Sequence, residues 1–213
     1  MKKGDFIEFN YTGKTKEGAV FDTTIKSIGE KLGLKQTFKP IIICLGEGQT
    51  LPGLDQKLLE KEIGKHTIEL KPEEAFGKKD AKLIQLVSLS KFKKDGLNPF
   101  PGMQINVDDQ LAIVKRVSGG RVLVDFNNPL AGQEVIYDIE ILRTIDDTDL
   151  KLASYIANTF GNVKHELKDN VATLYVHTEV PEEIAKKFNE QFKKIIPELK
   201  EVKFKIEKEN KEE

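Results

Sequence analysis

Little in this chain is spaced for bond-making chemistry. His66, His165 and His177 are scattered, with no Cys or His at ligand spacing, so neither a metal nor any other cofactor is expected. No Ser-His-Asp or Cys-His pair suggests a hydrolase. The glycines of residues 45–55, LGEGQTLPGLD, match neither a dinucleotide fingerprint nor a phosphate-cradling loop followed by Lys-Ser/Thr. What that stretch offers is shape. Its Gly-rich start and the Pro52-Gly53 pair are turn chemistry, and Leu54, Leu58 and Leu59 are helix-spaced. A strand that ends, a sharp turn and a short amphipathic helix can press Leu51 and Leu54 into a shared apolar pocket, or simply pack a core. Upstream, AVFDTT sets Phe21 immediately before Asp22. Neighbours in a strand point to opposite faces, so both reach one pocket only if the chain twists or bulges there. A buried Asp22 then needs a partner such as a tyrosine hydroxyl; otherwise it is an exposed carboxylate beside a core Phe.

Those residues need elements to position them. Residues 5–12 alternate, with Ile7, Phe9 and Tyr11 on one face and Glu8, Asn10 and Thr12 on the other, a half-buried strand that offers Tyr11 to the interior. Residues 25–39 have no clear period and read as a long connection with a helical turn around 29–33. Residues 41–45 are a short, continuously apolar strand that carries the single cysteine, Cys44, as a buried core thiol. A helix over about 54–61 follows, then an alternating strand over 66–70. Pro72 opens one turn before Phe76-Gly77, with Glu73 and Glu74 favourable at its positive end.

From residue 78 the character changes. Residues 88–95 suit a helical turn or two, and 103–126 read as three strands with turns at 107–110 and 118–120, a small antiparallel unit. Residues 133–144 alternate again, with Val135, Tyr137, Ile139 and Ile141 on one face, and return to the first sheet. The acidic run 146–149 marks a boundary and caps a helix over 150–160. A hairpin through Asp169-Asn170, a helix over 182–196 and a last strand at Val202, Phe204 and Ile206 complete a third unit. From Lys208 only Lys, Glu and Asn remain, a solvated end.

Charged residues make up 32% of the 213, yet the net charge is only -1, so nothing global recommends nucleic acid or an anionic membrane. Lys91, Lys93, Lys94, Lys115 and Arg116 read as a solvated face. The N-terminus has two lysines but no apolar stretch of signal-peptide length, and no stretch approaches a membrane span, so a cytoplasmic protein is expected.

Taken together, Tyr11, Phe21-Asp22, GEGQTLPGLD, EEAFG at 73–77 and NPLAG at 128–132 resemble the FK506-binding-protein family of peptidyl-prolyl cis/trans isomerases, in particular its SlyD-like and archaeal long-chain members. The likeness spans roughly residues 5–144, and the order of the motifs is more specific than any one of them. It implies an α+β protein: a twisted antiparallel sheet wrapped on a short helix over 1–77 and 127–145, an insert-in-flap domain over 78–126, and a C-terminal helix-strand-strand-helix-strand domain over 146–213. By motif position, Tyr11, Phe21, Asp22, Leu51, Leu54, Phe76 and Tyr137 line a prolyl pocket, joined by Ile41 and Leu130. Leu54 stands where the small eukaryotic members carry Trp, which implies a roomier, less aromatic base, and Asn128 stands where SlyD-like members commonly carry His.

The implied activity is isomerisation of X-Pro bonds in unfolded or nascent chains, with chaperone activity from exposed apolar residues of the insert such as Leu97, Phe100 and Met103. The rival is a holdase that uses the same pocket without turnover. Expected partners are unfolded or proline-containing polypeptides and a second copy through the C-terminal domain.

Overall fold

The computed structural model describes residues 1–107 and 110–207; Asp108 and Asp109, in the turn expected at 107–110, and the polar end from Lys208 lie outside the described residues. In chain order the elements are β1 (Phe6–Thr15), β2 (Val20–Thr23), α1 (Lys26–Lys31), β3 (Ile41–Cys44), α2 (Pro52–Leu58) and β4 (Gly64–Leu70). Then come β5 (Ile84–Ser88), α3 (Leu89–Lys94), β6 (Gln104–Val107), β7 (Gln110–Ser118) and β8 (Arg121–Asp125). The chain ends with β9 (Val135–Ile145), α4 (Thr148–Phe160), β10 (His165–Lys168), β11 (Val171–Val176), α5 (Glu182–Ile195) and β12 (Glu201–Ile206). The fold is therefore α+β, built on largely antiparallel sheets with a few helices. It groups into two compact units, residues 1–70 with 135–213, and residues 71–134. No helix among the described residues is long and apolar enough to cross a membrane.

In the first unit the long strands β1 and β9 pair antiparallel at the centre of a sheet ordered β2-β1-β9-β4, and β3 pairs with the first residues of β1. The helix read from residue 54 begins at Pro52, whose missing N–H costs nothing at the first helical position. It lies against β4 and buries Leu54 and Leu58. Alternation along β1 assigned only Ile7, Phe9 and Tyr11 inward, yet Phe6 on the other face is also buried. The reason is tertiary. Phe6, Cys44 and Ile145 share one apolar core with Leu152, Tyr155 and Ile156 of α4, Leu174 of β11 and Phe192 of α5. The continuously apolar run of β3 is thereby covered on both faces, and residues 146–207 belong to the same compact unit as the first sheet.

The local chemistry of this C-terminal region follows its sequence. Asp147 caps α4 by accepting the Leu150 amide at 2.8 Å. Asp169 and Asn170 both adopt positive φ, 53° and 64°, as a two-residue hairpin turn requires. Strand β12 runs parallel to β11, with α5 as the crossover between them.

The second unit is a four-stranded antiparallel sheet ordered β5-β8-β7-β6. Strand β5 is an element the sequence reading left unassigned. Helix α3, capped by Ser88, lays Phe92 on a core of Ile105, Ala112, Val114, Val122 and Val124. Asn127 ties the two ends of the unit: its Oδ1 accepts the Asp80 amide at 2.8 Å, and its Nδ2 donates to the Asp80 carbonyl at 3.0 Å and to Asp125 Oδ1 at 2.7 Å. Leu97 and Phe100 are exposed, 39% and 61%, so the unit does present apolar side chains to solvent. Met103 departs from that expectation: it is half-buried against the unit's own core, because β6 leads directly from it into the packed Ile105.

Candidate active site

The turn within residues 45–55 is held by one carboxylate. Asp55, buried on α2, accepts the Gly46 amide through Oδ1 at 2.8 Å and the Gly48 amide through Oδ2 at 3.1 Å. Both glycines have positive φ, 81° and 67°, so the turn is tight and the carboxylate satisfies donors that would otherwise be orphaned. The chain then enters α2 through Leu51 and Pro52 with its apolar side chains aimed at the sheet.

Above α2 lies a cavity of about 190 Å³. It brings together five of the residues expected there, Tyr11, Ile41, Leu51, Leu54 and Tyr137. It also includes three that sequence reading missed, Phe9, Gln49 and Thr50. Phe9 was legible as an inward residue of β1 but carried no site signal, and the two polar residues of the turn carried none at all. A larger, more open depression of about 450 Å³ lies on the other face of β1, around Asn10, Thr12, Asp138 and Glu140. Its carboxylate Asp138 is already engaged by Lys14 and by the Thr67 hydroxyl.

Phe21 and Asp22, expected in the pocket, are not among the residues lining this cavity, although the bulge their adjacency calls for is present. Thr12 pairs with Thr23 and Gly13 with Asp22, but Lys14 pairs with Val20, so the ladder skips Phe21. That bulge turns the Phe21 ring onto Tyr137, with centroids 5.9 Å apart in an edge-to-face arrangement, and Tyr137 in turn lies 5.8 Å from Tyr11. Gly13 makes this possible. A Cβ there would sit 2.7 Å from Phe21 Cε2 and 3.1 Å from Tyr137 Cε1, so only glycine leaves room for the ring.

Asp22 is half-buried and well partnered. The Tyr11 hydroxyl donates to Oδ2 at 2.6 Å, the Thr23 amide donates to Oδ1 at 2.8 Å, and Gln36 Nε2 approaches Oδ1 at 3.4 Å while donating to the Thr23 carbonyl at 2.8 Å. Gln36 comes from the 25–39 connection, which offered no period by which to find it. Burial, and then the bond to Asp22, push the Tyr11 hydroxyl well above the usual tyrosine range; burial, and then the Asp22 charge, push Tyr137 up to about 12. Both phenols are therefore neutral hydrogen-bond donors at physiological pH.

Phe76 and Leu130 belong to the second unit, where the Gly132 amide donates to the Gly77 carbonyl at 2.8 Å and so joins the loops that carry them. Among the described residues no group of three or more His, Cys, Asp or Glu side chains is placed to hold a metal ion.

An apolar cavity walled by Phe9, Tyr11 and Tyr137, with Tyr11 bonded to the Asp22 carboxylate, is set on an antiparallel sheet and a short helix and has the lining to take an apolar group. Comparison with known proteins gives it a family. Residues 1–93 match the family described as FKBP-type peptidyl-prolyl cis-trans isomerase, and residues 85–130 match the FKBP26 IF domain. The chain is 28% identical over 145 residues to the short-type peptidyl-prolyl cis-trans isomerase of Methanocaldococcus jannaschii, covering 66% of this chain and 92% of that one. It is 35% identical over 110 residues to the FKBP-type 16 kDa peptidyl-prolyl cis-trans isomerase of Escherichia coli, covering 49% of this chain and 74% of that one. To the SlyD isomerase of Helicobacter pylori it is 28% identical over 149 residues, covering 66% and 80%. The chain belongs to the FKBP-type peptidyl-prolyl cis-trans isomerases, as a SlyD-like member with an insert-in-flap domain. By family it is an isomerase.

Proposed function

We propose that the protein accelerates X-Pro isomerisation in unfolded or nascent chains at the Tyr11–Tyr137 cavity, and holds those chains through the insert. The observation that carries the reading is the cavity itself, with apolar walls from Leu51, Leu54 and Ile41, and with Tyr11 of its lining holding the neighbouring Asp22 carboxylate. Rotation about a prolyl amide is opposed by resonance, about 18 to 20 kcal/mol, and needs no proton transfer or covalent step. The twisted amide loses its charge-separated form, so a water-excluding site costs the transition state less than the planar ground state. Asp22 acts as an orienting charge and not as a general base, and Phe21 and Tyr137 close the aromatic wall.

Leu97 and Phe100 supply the insert's holding contacts, and covalent linkage to the pocket raises the local concentration of proline sites there. The reading also keeps the C-terminal region as a surface for a second copy, since Phe160, Ile184 and Ile206 are exposed. Light scattering of the intact chain at monomer mass would remove that part.

The test is the refolding rate of a protein limited by one prolyl bond, with the intact chain and with Asp22→Ala and Tyr137→Phe. Acceleration that falls in the variants, while they still bind unfolded chains, is the expected result. Suppressed aggregation with no acceleration by the intact chain would make the cavity a binding groove and the protein a holdase.

A further inference from the structure

The back of the cavity wall is held by the C-terminal region. Strand β3 has four residues and pairs with β1 along one edge. Its first residue, Ile41, lines the cavity, yet two of its backbone groups are bonded by side chains instead of by another strand. The Cys44 amide donates to Gln49 Oε1 at 2.8 Å, and the Ile42 carbonyl accepts from Asn158 Nδ2 at 2.6 Å. Gln49 itself lines the cavity, and its Nε2 reaches Thr159 Oγ1 at 3.4 Å. Asn158 and Thr159 are consecutive residues in the last turn of α4, and that helix packs on β3 around Cys44 through Leu152, Tyr155 and Ile156.

We propose that the last turn of α4 is a positioning device for the cavity, with Asn158 and Thr159 as positioning residues that hold the Ile41 and Gln49 wall from behind. Neither touches the space a substrate would fill. They act by restraining a short strand that its own ladder fixes along one edge only. Small displacements of a binding wall are costly where a site must grip a twisting group, so restraint of β3 shows in substrate affinity before it shows in global stability. The inference rests on the reading of the cavity as the prolyl site.

The experiment measures KM and kcat for a short prolyl peptide, with Tm in parallel, for Asn158→Ala, Thr159→Val, Thr159→Ser and, as a control on the cavity, Asp22→Ala. The expected result is a KM raised about three- to fivefold in Asn158→Ala, the worth of one neutral hydrogen bond, with kcat and Tm little changed. Thr159→Val shifts KM in the same direction, and Thr159→Ser, which keeps the hydroxyl, restores it. Unchanged KM in both Asn158→Ala and Thr159→Val, with Asp22→Ala impaired, overturns this inference and leaves the cavity reading standing. A loss that merely tracks the unfolded fraction, or a Thr159→Ser as poor as Thr159→Val, overturns it as well. Full turnover by Asp22→Ala removes the cavity reading and this inference with it.

Discussion

In the proposed reading Gly13 matters through the two rings packed against it, Phe21 and Tyr137. Any side chain there collides with the ring that stands against Tyr137, at 2.7 Å for the first carbon alone. Gly13→Ala is expected to lower kcat/KM about tenfold, through loss of the aromatic wall, and to cost about 1 to 3 kcal/mol of stability from overpacking. Peptide turnover and a urea melt of the same variant check both. The phenols give a pH prediction. The Tyr137 pKa is raised by burial and by Asp22 to about 12, against 10.0 when unfolded. The unfolded state therefore releases its proton first, and the stability tied to the neutral phenol is complete below pH 10 and lost as pH rises towards 12. Urea midpoints measured from pH 8 to 12 should be flat to about 10 and then fall, and Tyr137→Phe should flatten part of that fall.

At the scale of an element, the 45–55 turn stands on Asp55. Asp55→Ala leaves the Gly46 and Gly48 amides without their acceptor and is expected to cost about 2 to 4 kcal/mol, while Asp55→Asn, which keeps one acceptor oxygen, costs less. Thermal melts of the pair check the order, and Leu51 should lose its seat in proportion, read as a rise in KM. Strand β3 offers a second check. Cys44 is fully buried, and burial first, then the Glu47 charge, push its thiol up to about 12. Labelling by a soluble thiol reagent at pH 8 should be slow in the native protein and should speed up with denaturant in step with unfolding.

For the molecule as a whole, the proposed reading assigns two tasks to the two compact units. Replacing residues 78–125 by a short linker is expected to leave turnover of a short prolyl peptide largely intact and to abolish the gain on a refolding protein; equal losses on both would refute the division. The C-terminal region is not separable in the same way. A chain cut after Thr144 would expose Phe6, Ile42 and Cys44, which α4 and α5 now cover, and is expected to aggregate where the full chain stays dispersed. Light scattering during mild heating distinguishes the two.

Much of this protein was legible in its residues. Alternation placed β1 and β9, the Asp169-Asn170 turn placed a hairpin, and the order of Tyr11, Phe21-Asp22 and LGEGQTLPGLD named the family, because each of these is a local preference or a linear pattern. The need of Asp22 for a hydroxyl partner was also readable, since a buried carboxylate must be paired, and the Tyr11 hydroxyl meets it. Tertiary structure alone decided the rest. That Phe6 is buried depends on helices more than 140 residues away covering the second face of the sheet. That Gly13 must be glycine depends on a bulge in β2, and the places of Gln36, Gln49 and Asn158 depend on side chains that meet backbone groups far off in sequence. No local period encodes such contacts, because what selects these residues is the space and the unpaired groups left by the fold once it has formed.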